Sequence, residues 1–205
     1  MIIAVEGIDG AGKRTLVDAL LQRLPSGITA STLAFPRYDD SAAAQLAQAA
    51  LHGQMGDMTD SPYAMAAMFA LDRHGALDTL THAAEAQDEL LILDRYAASN
   101  AAYTWARSGD ETAVRWVAEL EFERLGLPRP DLQVLVDTSP EVASARAVHR
   151  AEEDPQRARD RYERDAGLQV ATFDAYRRLA ERSWAGPWVV SADAAVIMRS
   201  ITDLR

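Results

Sequence analysis

The chain contains no cysteine. Disulfide scaffolds, thiol catalysis and cysteine-ligated metals are therefore excluded, and a reducing, cytoplasmic location is expected. Lysine is almost as scarce. Lys13 is the single one, every other basic residue being arginine; a codon preference for arginine explains this as well as a special role for Lys13 does. Acidic residues outnumber basic ones, for a formal net charge of −10. A binder of nucleic acid polymers, which would carry a basic face, is not expected. An acidic chain that binds an anion must instead gather its arginines locally. No apolar stretch approaches the roughly 20 residues of a membrane span. The apolar N-terminus reads as the start of the fold, so neither a membrane anchor nor a signal peptide is expected. The four histidines show no metal-ligand spacing.

What is present is concentrated at the start. Met1 to Val5 is an unbroken apolar run, short and ended by glycine, as in a central parallel strand buried on both faces. Gly7-Ile8-Asp9-Gly10-Ala11-Gly12-Lys13-Arg14-Thr15 follows, and Leu16, Ala19, Leu20, Arg23 and Leu24 then recur at helical spacing. Strand, glycine loop and helix are the context a phosphate-binding loop requires. Glycines let the backbone turn successive N–H groups toward one anion, and the helix adds its positive N-terminal end. Lys13 supplies a charge that can follow a phosphate as it moves. The motif departs from its usual form in one respect: Arg14 occupies the place of the Ser or Thr that puts a hydroxyl on Mg²⁺, and Thr15 comes one residue late.

Further along, the pattern alternates. Strands are predicted at 29–35, 89–93, 132–136 and 188–190. Helices are predicted over 39–52, in one long run from Ser61-Pro62 toward Ala84, over 96–107 and 111–125, from Pro140 to about Ala151, over 162–182, and from Ala194 onward. This predicts an α/β protein: a five-stranded parallel sheet flanked by helices, the three-layer arrangement of P-loop NTPases, in one domain spanning 1–205. A ligand is then expected at the carboxyl ends of the strands, where Gly7, Pro36 and Asp94 fall.

Two other stretches carry chemistry. Leu90 to Leu93 is an apolar strand that ends in Asp94-Arg95. Such an aspartate holds Mg²⁺ in phosphate-loop proteins, although it also serves as a helix cap or an arginine partner. Arg95 is placed to reach a phosphate. Arg146, Arg150, Arg157, Arg159, Arg161 and Arg164 lie within nineteen residues, interleaved with Glu152, Glu153 and Asp154. A mobile arginine lid over about 146–162 would clamp a nucleotide and exclude water, while a solvated mixed-charge surface would show the same composition. Phe69, Arg73, Asn100 and Tyr103 supply the residue types of a base pocket, although a phenylalanine such as Phe69 is more often a core residue and an arginine such as Arg73 a surface one.

With these residues in hand, the chain resembles the bacterial thymidylate (dTMP) kinases, particularly the actinobacterial type, nearly end to end. The specific parts are Glu6-Gly7-Ile8-Asp9-Gly10-Ala11-Gly12-Lys13, Phe35-Pro36-Arg37-Tyr38, Phe69-Ala70-Leu71-Asp72-Arg73, Asp94-Arg95-Tyr96, Ser99-Asn100 with Tyr103, and Pro130-Asp131-Leu132 through Asp137, Pro140-Glu141 and Arg146. The resemblance implies transfer of the ATP γ-phosphoryl group to dTMP with Mg²⁺, and a homodimer formed through helices. Gly7, Asp9, Gly10, Ala11, Gly12, Lys13, Arg14 and Thr15, with Arg146, Arg150 and Arg157 of the lid, would hold ATP. Phe69 would stack on thymine, Arg73 and Asn100 would read its edge, and Tyr103 would crowd the sugar 2′ position. Phe35 and Pro36 would border the 5-methyl group. Arg37, Tyr38 and Arg95 would hold the acceptor phosphate, and Asp9 would belong to the dTMP site as well. Asp9 and Glu163 would lie near Mg²⁺, and Lys13, Asp9, Asp94, Arg95 and Arg150 would form the catalytic set. Gly10 stands where one subclass carries a catalytic arginine, which leaves that charge to the lid. Arg150 is the candidate, and Glu153 occupies a position where the actinobacterial pattern has a further arginine.

Two other readings share part of this pattern: a small phosphate-loop kinase with a different acceptor, and a nucleotide-binding switch. The second lacks the guanine-reading Asn-Lys-x-Asp element, since the one lysine is already in the loop.

Overall fold

The structure is a computed structural model that describes residues 1–25, 27–86, 88–153 and 160–204, the side chains of 150–153 excepted. Five parallel strands form its sheet: β1 (Ile2–Glu6), β2 (Thr29–Ala34), β3 (Glu89–Asp94), β4 (Leu132–Leu135) and β5 (Trp188–Val190), in the spatial order β2-β3-β1-β4-β5. The predicted α/β class and parallel sheet are thus observed. β1 and β4 are buried along their whole length, including the polar Glu6 and Gln133 among their otherwise apolar residues, whereas edge strand β2 is largely exposed.

Ten helices among the described residues connect and cover the sheet: α1 (Lys13–Leu21), α2 (Ala42–Leu51), α3 (Pro62–His74), α4 (Leu77–Glu85), α5 (Ala97–Ser108), α6 (Thr112–Ala118), α7 (Pro140–Glu153), α8 (Arg161–Arg164), α9 (Ala166–Glu181) and α10 (Ala194–Asp203). Alternate residues of β1 serve two cores. Ile3 and Val5 pack with Leu20, Ile92, Tyr176 and Ile197, while Ile2 and Ala4 pack with Leu80, Leu91, Leu93 and Tyr96. A third apolar cluster, with Ala47, Leu51, Met65 and Tyr162, lies away from the sheet and supports the wall of a cavity described below.

Three predicted helices differ in detail. The single run from 61 toward 84 is broken at Gly75. A Cβ there would stand 2.6 Å from Arg37 Nη2, so the glycine leaves room for a guanidinium pressed against the chain, and α4 restarts after Ala76. The run from 162 to 182 is divided by two aspartate caps: Asp160 accepts the N–H of Glu163 at 2.9 Å and opens α8, and Asp165 accepts that of Leu168 at 2.9 Å and opens α9. Helix α6 passes into a wide π-helical turn, Glu119–Arg124, a geometry often found at functional sites.

The register aligns the strand ends. Val5 and Ala34 are both level with Asp94. The N–H of Phe35 is donated to Asp94 O at 3.0 Å and that of Arg95 to Val5 O at 2.9 Å. The loops after β1, β2 and β3 therefore leave the sheet side by side.

Candidate active site

The loop after β1 takes the shape its glycines permit. Gly10 has φ +81°, and a Cβ on it would lie 2.1 Å from Ala143 O at the start of α7. No larger residue fits there while α7 stays in place, which accounts physically for the absence of a loop arginine. Lys13 opens α1, with its side chain buried. Its Nζ donates to the carbonyls of Gly7 at 3.1 Å and Ile8 at 3.0 Å. Burial, reinforced by the nearby Arg95 charge, lowers the lysine to about 8. Arg146 Nη1 donates to Ala11 O at 3.3 Å, which places this arginine beside the loop. Arg14 and Thr15 are exposed on the first turn of α1. The side chain of Arg150 and the whole of Arg157 lie outside the described residues, as do 154–159 of the expected lid.

Arg95 leaves β3 with φ +70°, a left-handed conformation uncommon for arginine. Its Nη1 donates to Gly7 O at 2.9 Å and to the hydroxyls of Ser99 and Tyr176, each at 3.2 Å, and its Nη2 pairs with Asp9 Oδ1. The Tyr103 hydroxyl donates to Asp9 Oδ2 at 2.7 Å. Burial alone would raise the Asp9 carboxyl, but Arg95, Lys13 and Tyr103 outweigh it and hold Asp9 at about 2. Burial alone would likewise lower Arg95, and the Asp9 charge instead carries it well above its ordinary value.

A cavity of about 440 Å³ opens beside this group. Nine of the ten expected acceptor-site residues line it: Asp9, Phe35, Pro36, Tyr38, Phe69, Arg73, Arg95, Asn100 and Tyr103. Glu163 is there too. Arg37, the tenth, is not among them. Its backbone N–H and Nε donate to the two carboxylate oxygens of Asp72, both at 3.0 Å.

Arg73 and Asn100 are fixed by a residue the sequence did not single out. Glu121, fully buried, projects from the π-helical turn. It accepts Arg73 Nε and Nη2, both at 2.6 Å, and Asn100 Nδ2 at 2.6 Å. Asn100 Nδ2 also donates to Ala66 O at 3.0 Å. Burial would lower Arg73, but the charge and hydrogen bonds of Glu121 raise it. Gln48, Leu51, His52, Ser99, Asp160 and Tyr162 complete the wall without having been assigned roles. Glu121 is one of three acids between 119 and 123, and only the wide turn distinguishes it from its neighbours.

Asp94 Oδ1 is buried and, among the described residues, accepts no hydrogen bond. Among the described residues there is no group of three or more metal-ligating side chains. A single free carboxylate oxygen beside a phosphate loop nevertheless fits Mg²⁺, which keeps several waters and takes one or two carboxylates plus substrate phosphates. No described helix is long and apolar enough to cross a membrane.

A phosphate loop, a pair of fixed cations and an adjoining base-sized cavity on a parallel sheet define a phosphate-loop kinase with a nucleotide-sized acceptor site. The chain belongs to the thymidylate kinase family, whose profile matches residues 5–184. It is 53% identical over 198 residues to the thymidylate kinase of Mycobacterium tuberculosis (strains CDC 1551 / Oshkosh and ATCC 25618 / H37Rv), covering 94% of this chain and 92% of the relative. The probable thymidylate kinase of Pyrobaculum aerophilum is 26% identical over 206 residues, covering 97% and 96% of the two chains. That of Archaeoglobus fulgidus is 30% identical over 156 residues, covering 76% and 73%. The actinobacterial resemblance read from the motifs agrees with the Mycobacterium tuberculosis match.

Proposed function

We propose that the chain transfers the γ-phosphoryl group of ATP to dTMP, giving dTDP and ADP, as a step toward dTTP. The observation that carries this reading is one cavity bordered both by the Arg95–Asp9 pair beside the phosphate loop and by Arg73 and Asn100 locked on Glu121. The first set suits a phosphate and the second a base edge.

The chemistry asks little of the protein beyond placement. A phosphate monoester with a second pKa near ~6 is largely dianionic at neutral pH, so no strong general base is needed. Positioning and charge stabilisation then carry the rate. On this reading Lys13 leaves the Gly7 and Ile8 carbonyls for the transferred group. Arg95 and Tyr38 hold the acceptor phosphate, and Arg37 joins them only by releasing Asp72. Phe69 stacks on thymine, Phe35 and Pro36 border its methyl group, and Tyr103, tied to Asp9, faces the 2′ position and disfavours ribonucleotides. Arg146 steadies the ATP phosphates, with Arg150 and Arg157 of the lid, about 146–162, closing over them. Asp94 Oδ1, with Asp9 and Glu163 nearby, would hold Mg²⁺, which when bound neutralises charge on the β- and γ-phosphate oxygens.

The remaining assignments are of the same kind. The chain acts as one domain in the cytoplasm, which its lack of cysteine suits. It acts as a homodimer, as the resemblance to the family implies. Its partners are ATP and dTMP rather than nucleic acid polymers or membranes.

Arg73→Ala tests the base pocket. The variant is expected to lose most of its preference for dTMP over other pyrimidine monophosphates while still releasing ADP. An unchanged preference would place base recognition elsewhere.

A further inference from the structure

Glu6 is the last residue of β1, lies directly before the phosphate loop, and is fully buried. A carboxylate so enclosed is costly unless its oxygens are used, and both are. Oε1 accepts the backbone N–H of Tyr96 at 2.9 Å. Oε2 accepts the Ser99 hydroxyl at 2.6 Å and lies 3.3 Å from the Tyr176 hydroxyl. Tyr96 is the N-cap position of α5 and offers no side-chain cap of its own, so a neighbouring strand provides the cap. It is also the residue immediately after Arg95, whose backbone is left-handed.

The two hydroxyls have a second neighbour. Ser99 Oγ and Tyr176 OH are 2.7 Å apart and both accept from Arg95 Nη1. Each hydroxyl has one proton to give. With Glu6 ionised, both protons are drawn toward its Oε2 directly or through the other hydroxyl, and the oxygen lone pairs are left facing the guanidinium. A neutral group at Glu6 removes that polarity: an N–H or O–H pointing at Ser99 turns its proton toward Arg95.

We infer that Glu6 is a positioning residue for the acceptor phosphate. It fixes the Arg95 backbone through the Tyr96 N–H and the Arg95 guanidinium through the Ser99 and Tyr176 hydroxyls. Glu6 does not line the cavity, so its role is to position rather than to contact the acceptor. The inference rests on the reading that Arg95 holds the dTMP phosphate.

The test separates phosphate recognition from general damage by comparing two ligands. Thymidine has the base and sugar but no phosphate. Affinities for dTMP and for thymidine are measured by calorimetry on the wild type, Glu6→Gln and Arg95→Ala. Glu6→Gln is expected to weaken dTMP about tenfold or more and to leave thymidine within about twofold, each tenfold being ~1.4 kcal/mol of binding free energy. Arg95→Ala should show the same pattern more strongly. If Arg95→Ala does not alter the ratio of the two affinities, the phosphate reading of Arg95 fails. If Arg95→Ala does and Glu6→Gln does not, or if Glu6→Gln weakens both ligands alike, the role assigned to Glu6 is overturned. Should Glu6→Gln not fold, Ser99→Ala and Tyr176→Phe carry the same comparison, since each removes one hydroxyl between Glu6 and Arg95; wild-type ratios in both would overturn it.

Discussion

Changing Glu121 to glutamine removes a charge from a fully buried site while nearly keeping its shape. Arg73 is 3% exposed, and the two side chains share a pair of 2.6 Å hydrogen bonds. Breaking one half of a buried ion pair strands the other charge and costs about 3–5 kcal/mol. The amide oxygen can still accept one of these N–H groups, so the lower figure applies. At roughly 2–4 °C per kcal/mol for a chain of this size, about 3 kcal/mol lowers Tm by about 6–12 °C. Asn100 depends on the same carboxylate, so the base-reading pair loosens together and the KM for dTMP should rise about tenfold, ~1.4 kcal/mol. Scanning calorimetry and steady-state kinetics on Glu121→Gln read both quantities. Replacing both partners, with Arg73→Met and Glu121→Leu, should recover part of the lost stability without recovering the KM, because the stranded charge is gone and the base contact is not restored. A Glu121→Gln protein that melts within about 2 °C of wild type, or a double variant less stable than Glu121→Gln, would refute the electrostatic reasoning.

Other predictions follow from the loop and its neighbours. Lys13→Ala should fold and lose nearly all turnover, checked by circular dichroism beside kcat. Because burial lowers Lys13 to about 8, the free enzyme loses this charge as pH rises through that value. kcat/KM for ATP should therefore decline above about pH 8, whereas a flat profile to pH 10 would contradict it. Asp9 is held at about 2, below its unfolded value, so its stabilisation is complete above about pH 4 and is lost as pH falls toward 2. Asp9→Asn should flatten the acid limb of a stability–pH curve across that window. In Gly10→Ala the new Cβ must move the Ala143 carbonyl, 2.1 Å away, so the KM for ATP should rise at least tenfold; an unchanged KM would show that α7 yields freely.

How much of this was legible in the sequence follows from how local each feature is. The strand, phosphate loop and first helix are contiguous in the chain, so their chemistry can be read from spacing alone. Asp94 could be located because an apolar strand ends at it. Phe69, Arg73 and Asn100 could be read from residue type as base-pocket candidates, but their individual roles came only through family resemblance, since they lie on α3 and α5 and nothing local marks them. Glu121 was missed because a predicted ordinary helix over 111–125 gives it no direction, and the π-helical turn supplies one. Gly75 was read as an interior helix residue because its role depends on Arg37, far away in sequence. Glu6 was visible as a motif letter, but its hydrogen bonds to Tyr96, Ser99 and Tyr176 exist only after β1, α5 and α9 have packed.

The most direct measurement is ADP production by the wild-type chain from Mg·ATP with a panel of acceptors: dTMP, dUMP, dCMP, UMP, CMP, AMP and shikimate. Rapid turnover with dTMP, slower turnover with dUMP and little with the rest is the predicted result. Equal or better turnover with another acceptor, or none with dTMP from protein shown to bind ATP, would contradict the account.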